Sequence, residues 1–166
     1  MLTSTPKTIR LKDYTAPAFL VSRVELDVDL RDDHALVRAK LAIARNPKSP
    51  DPKAPLELDG DELELVSVAL DGKALGSGEF TVSSNSLAIP GVPDRFTLET
   101  AVRIRPKQNT KLMGLYASAD GYFTQCEAEG FRRIAFFPDR PDVMSRYTTT
   151  IHADKAAFPC LLSNGN

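Results

Sequence analysis

The chain has 166 residues, 42% hydrophobic and 26% charged, with a formal net charge of -1. That length suits one domain with a buried core, and the balance is too apolar and too neutral for a disordered tail. With no basic stripe and no apolar run near the ~20 residues of a membrane-spanning helix, neither nucleic acid nor membrane is expected as a partner.

Residues 1–8 are polar and lack the apolar stretch of a signal peptide. They are expected to be a flexible terminus ahead of one domain over residues 9–166. Cys126 and Cys160 are the only cysteines. A reducing cytoplasmic setting fits the missing secretion signal better than a disulfide between them.

Period two dominates. In Phe19–Leu30, Leu20, Val24, Leu26, Val28 and Leu30 share one parity, and Arg23, Glu25, Asp27 and Asp29 share the other. That is a strand with one dry face. Asp32-Asp33 predicts a tight turn into Ala35–Ile43, where Ala35, Val37, Ala39, Leu41 and Ile43 alternate with Arg38 and Lys40. The two segments read as a long antiparallel hairpin, its acidic strand facing basic residues across the pair. Pro47, Pro50, Pro52 and Pro55 then enforce a loop. Strands are expected at Leu56–Leu58 and Leu63–Leu70, with Asp71-Gly72 as a hairpin turn. A short pair is expected at Phe80–Val82 and Ser86–Ile89, and a further strand at Phe96–Ile104. The one helical candidate is Pro141–Arg146, opened by a proline in the first turn. Phe158–Leu162 reads as an apolar strand. The fold class is all-β, an antiparallel sandwich or saddle-like sheets with one short helical turn. Asn164-Gly165 is a hairpin signal with no return strand after it, which predicts a piece of a longer polypeptide.

Neither His34 nor His152 sits in an H-E-x-x-H pattern, and no zinc-finger spacing, G-x-S-x-G elbow or phosphate loop occurs. Both histidines read as surface or strand-face residues. The densest polar stretch is Tyr122–Arg146. If Thr124–Glu129 is extended, Gln125, Glu127 and Glu129 share one face, and Cys126 and Ala128 share the other. An amide and carboxylates on one face can accept the hydrogen bonds of an alkyl ammonium, each worth about 1.5–3 kcal/mol when shielded. On pattern alone the plainer reading stands ahead: a solvated face, or carboxylates paired with Arg132, Arg133 and Arg140.

Thr124-Gln125-Cys126-Glu127-Ala128-Glu129-Gly130-Phe131-Arg132, followed by Phe137-Pro138-Asp139-Arg140-Pro141-Asp142-Val143, resembles the N-terminal domain of the bacterial aminopeptidase N family, zinc metallopeptidases of the gluzincin type. Tyr14-Thr15-Ala16-Pro17 and the closing Leu161-Leu162-Ser163-Asn164-Gly165-Asn166 are similar as well, so the likeness runs from Thr8 onward.

The resemblance implies an all-β domain packed on a thermolysin-like catalytic domain. That catalytic domain would carry an H-E-x-x-H zinc helix and a Gly-Ala-Met-Glu-Asn loop, neither of which occurs in this sequence. One zinc ion would sit in the absent domain and none in this chain. By motif position, Gln125 and Glu127 would bind substrate. Glu127 would take the free α-ammonium of a peptide, and Gln125 would line the first side-chain pocket. Glu129 is left structural, and no catalytic residue falls in this stretch. The full-length protein would be an aminopeptidase, and this piece would be inactive alone. Its partners would be the peptide, through its N-terminal amine, and the catalytic domain of the same polypeptide. The segments Phe131–Phe137 and Phe158–Leu162 would face that domain. Where the family often carries Phe-Asp-Glu-Pro after Phe-Pro, this chain has Asp139-Arg140-Pro141, which leaves the contacts of Asp139 open. The alternative is a stand-alone β-sandwich module for peptide or carbohydrate.

Overall fold

The computed structural model describes residues 10–119 and 121–165, so the expected flexible terminus lies outside the described residues. The strands in chain order are β1 (Phe19–Leu30), β2 (Ala35–Arg45), β3 (Leu56–Asp59), β4 (Glu64–Leu70), β5 (Lys73–Ala74), β6 (Thr81–Val82), β7 (Ser86–Ile89), β8 (Arg95–Ile104), β9 (Gly114–Ser118), β10 (Gly121–Gln125) and β11 (Arg146–His152). They form a six-stranded sheet ordered β11-β1-β2-β8-β4-β5, a three-stranded sheet β3-β7-β6 and the β9–β10 ribbon. The fold is all-β, as the period of two requires.

The β1–β2 hairpin closes where Arg31 N–H donates to the His34 carbonyl at 2.9 Å, around Asp32-Asp33. In its register Glu25 lies opposite Lys40 and Asp27 opposite Arg38. Arg38 Nη1 donates to Asp27 Oδ1 at 2.9 Å, whereas Lys40 reaches Glu99 on β8 at 3.3 Å. One detail departs from the simple alternation. A register shift between Val21 and Arg23 inserts a residue into β1. The bulge flips parity before it, so Phe19 and Val21 are buried while Leu20 is 39% exposed. Asp71 (φ 50°) and Gly72 (φ 78°) make the turn from β4 to β5, both in the left-handed region that a type I′ turn demands.

All but one of the strand pairs are antiparallel. β11 runs parallel to β1, with Arg23 opposite Arg146 and Asp29 opposite His152. A parallel partner cannot arise from a local hairpin, because the chain must first cross back to the far end of the sheet. Ser145 Oγ marks that return by donating to the Val21 carbonyl at 2.7 Å.

Val24, Leu41, Leu98 and Val102 from the large sheet and Leu56, Leu58, Leu87 and Ile89 from the small one share a single core. Burying each such side chain stabilises the fold by about 1.5–3 kcal/mol. Ile134, Ala135, Phe136 and Phe137 belong to that core and are at most 4% exposed. The expectation that Phe131–Phe137 faces another domain is therefore corrected: after Phe131 its apolar side chains seal this chain's own interior. Gly60 makes room for Phe136, since any Cβ at position 60 would overlap the aromatic ring.

Two further expectations are corrected. Pro141–Arg146 is not helical: Val143 N–H closes one turn on the Arg140 carbonyl at 3.1 Å, and β11 already begins at Arg146. The short helical turns are instead at Leu11–Asp13, Pro106–Gln108 and Phe131–Arg133. Phe158–Leu162 forms no strand; Pro159 lacks an amide donor, and Leu162 is 83% exposed.

Candidate functional site

The site begins with the β9–β10 ribbon, whose last pair sets Gly114 opposite Gln125. The extended backbone stops at Gln125, so the condition that Thr124–Glu129 is extended is not met. Residues 127–130 form a tight turn, closed by Gly130 N–H donating to the Cys126 carbonyl at 2.8 Å. Gly130 is needed there for space: a Cβ would come within 2.6 Å of the Gln125 carbonyl oxygen and 2.8 Å of Cys126 Cα. Gln125, Glu127 and Glu129 therefore do not form one strand face. Gln125 and Glu127 still stay together, since Gln125 Nε2 lies 3.4 Å from the Glu127 carbonyl oxygen, to which it donates.

The carboxylates of this stretch have different surroundings. Glu129 Oε2 pairs with Arg132 Nη2 at 3.2 Å. Glu127 is exposed, and no arginine, lysine or histidine among the described residues pairs with it. Arg133 turns to Asp61 and Glu62, and Arg140 to Asp142 at 2.8 Å. Arg132, Arg133 and Arg140 are thus taken by other acids, which leaves Glu127 as a solvent-facing carboxylate with no ion pair among the described residues.

The opposite side of the same stretch is apolar. Thr124 and Cys126 line a groove of roughly 820 Å³ with Tyr122, Phe131, Tyr147 and Phe158, whereas Gln125 and Glu127 do not line it. Burial, followed by the nearby Asp139 carboxylate, pushes the Cys126 thiol up. Burial, with Asp139 and Cys126 beside it, likewise pushes the Tyr147 phenol up to about 12. Both groups are therefore neutral near pH 7, and the negative character of the turn rests on its glutamates. Cys126 and Cys160 are both free thiols. No group of three or more His, Cys, Asp or Glu among the described residues is placed to hold a metal ion. Asp27 holds His152 Nε2 at 2.8 Å and Asp33 holds His34 Nδ1 at 2.6 Å, far along the chain from the turn.

Sequence reasoning missed the frame around the turn. Asp139 is buried and accepts from both Arg132 N–H, at 3.1 Å, and Arg132 Nε, at 3.0 Å. Arg133 is buried, donating from Nε to the Met113 carbonyl at 3.1 Å and from its terminal nitrogens to Asp61 and Glu62. The Glu129–Arg132 pair is one the plainer reading of the sequence allowed; the sharing of that guanidinium with Asp139 and Asp59 was not foreseen.

The chain as a whole is similar to known proteins. The model of the Peptidase M1 N-terminal domain matches residues 22–166. Aminopeptidase N of Caulobacter vibrioides is 47% identical over 166 residues, 100% of this chain and 19% of the relative. Aminopeptidase N of Escherichia coli is 42% identical over 165 residues, 99% of this chain and 18% of the relative. Among solved structures, Legionella pneumophila aminopeptidase A in complex with aspartic acid superimposes with a TM-score of 0.88 at 34% identity, covering 95% of this chain and 18% of that one. The chain thus spans about a fifth of the length of the curated relatives it matches.

Proposed function

Because the chain belongs to the Peptidase M1 N-terminal domain family, we propose that it is the amine-anchoring part of a zinc-dependent aminopeptidase that removes N-terminal residues from peptides. In this reading residues 9–166 form the N-terminal β domain, and a catalytic domain further along the same polypeptide holds the zinc and performs hydrolysis in the cytoplasm. In this reading this chain contributes to substrate binding. Glu127 accepts hydrogen bonds from the free α-ammonium, and Gln125 lines the pocket for the first side chain and steadies the Glu127 backbone.

One observation carries the reading: Glu127 stands on a tight turn, exposed, while Arg132, Arg133 and Arg140, which follow it in the chain, are occupied by Glu129, Asp139, Asp61, Glu62 and Asp142. A carboxylate so placed selects for a positive amine. An internal peptide bond or an acylated terminus would shield it from water and leave it unpaired, which is strongly unfavourable. The test compares leucine 4-nitroanilide with its N-acetyl derivative on the full-length protein, and on this chain alone with and without zinc. The full-length protein should cleave only the free amine, and the isolated chain neither. Turnover by the isolated chain would overturn the division of labour.

A further inference from the structure

The turn that carries Glu127 is short and exposed, and the Gln125 side-chain contact to it is long at 3.4 Å. By itself such a turn would sample many arrangements, and an electrostatic hook loses most of its selectivity when its distance to the reacting bond is loose. Beyond the Gly130–Cys126 backbone hydrogen bond that closes it, the turn is held by Arg132. The Arg132 main-chain N–H and Nε converge on the same Asp139 oxygen at 3.1 and 3.0 Å, while Nη2 donates to the Asp139 carbonyl at 2.9 Å. Nη2 also reaches Glu129 Oε2 at 3.2 Å, two residues beyond Glu127, and Nη1 lies 3.7 Å from Asp59 Oδ1. Asp139 is tied onward, its N–H donating to Asp59 Oδ2 at 3.0 Å. Asp59 and Phe137 exchange backbone hydrogen bonds at 2.9 and 3.1 Å, fastening the assembly to the end of β3. Resting on the amine-anchoring reading above, we infer that Arg132 is a positioning residue that sets where the Glu127 carboxylate stands, by clamping the turn through Glu129 on one side and the Asp139–Asp59 frame on the other.

The guanidinium suits this task because its planar fork holds several acceptors at fixed angles, which an ammonium cannot do. The Arg132 guanidinium is engaged by Glu129, Asp139 and Asp59, so it is not free to pair with Glu127. Burial works against the charge, yet Asp139, Asp59 and Glu129 together raise the Arg132 pKa above its ordinary value.

The test is a double-mutant cycle on the full-length protein, reading kcat and KM on leucine 4-nitroanilide for Arg132→Lys, Glu127→Ala and the pair. Arg132→Lys keeps the charge and loses the fork. It should raise KM about tenfold with kcat changed less than about threefold, and it should cost almost nothing once Glu127 is alanine. An Arg132→Lys loss of the same size in both backgrounds would overturn the inference, leaving Arg132 as a fold element and the anchor intact. If Glu127→Ala alone changes neither constant, the anchor itself fails. Should Arg132→Lys unfold on a thermal melt, Asp139→Asn loosens the same clamp from the other side, and the same cycle with it decides between coupling and additivity.

Discussion

Replacing Glu127 by glutamine in the full-length protein removes one charge and exchanges one acceptor oxygen for an NH2 donor while keeping side-chain length. Glu127 is exposed and makes no ion pair among the described residues, so the change should leave stability within about 0.5 kcal/mol. Function is another matter. One charge-assisted hydrogen bond to the substrate ammonium, worth about 1.5–3 kcal/mol, corresponds to about a 10- to 150-fold loss in kcat/KM. Glu129→Gln is the internal comparison. Its pair with Arg132 leaves the Glu129 side chain 61% exposed, and exposed pairs contribute only about 0–1 kcal/mol, or less than about fivefold. The assay is kcat/KM on leucine 4-nitroanilide beside the N-acetyl derivative. Glu127→Gln should narrow the preference for the free amine, and Glu129→Gln, which only loosens one side of the Arg132 clamp, should narrow it far less. If the two variants fall within about twofold of each other with the preference unchanged, a single carboxylate is not the selector and the reasoning fails.

Other expectations concern the scaffold. Thr100 is 3% exposed and its hydroxyl has no partner among the described residues, so Thr100→Val should raise stability by about 1 kcal/mol, read from the urea midpoint. Gly60→Ala drives a methyl group into the buried Phe136 ring and should cost about 1–3 kcal/mol, whereas Gly78→Ala, with nothing within 4 Å, should leave the midpoint nearly unchanged. The Arg133 hydrogen bond, followed by that from Lys111, holds the Glu62 pKa below its usual value. A carboxylate lowered in the folded state stabilises fully above its unfolded pKa of about 4.3 and loses that contribution as pH falls through the native value, so Glu62→Gln should flatten the acid side of the stability profile below about pH 4. An unchanged acid limb would show that the Arg133 clamp does not depend on Glu62.

The sequence determined the strands whose alternation records a half-buried surface, the hairpin turns at Asp32-Asp33 and Asp71-Gly72, and the candidates Gln125 and Glu127 by motif. Alternation is local and survives in one dimension. Tertiary structure decided the rest, because those features depend on partners far along the chain. The bulge at Val21 sends Leu20 outward, and β11 finds β1 in parallel only after the chain crosses the sheet. Ile134–Phe137 turns inward because Gly60 leaves room for Phe136. The acidic stretch follows the same logic: alternation makes Gln125, Glu127 and Glu129 look alike. The fold separates them, because Gly130 permits a tight turn and Arg132, held by Asp139 and Asp59, takes Glu129 and leaves Glu127 facing solvent.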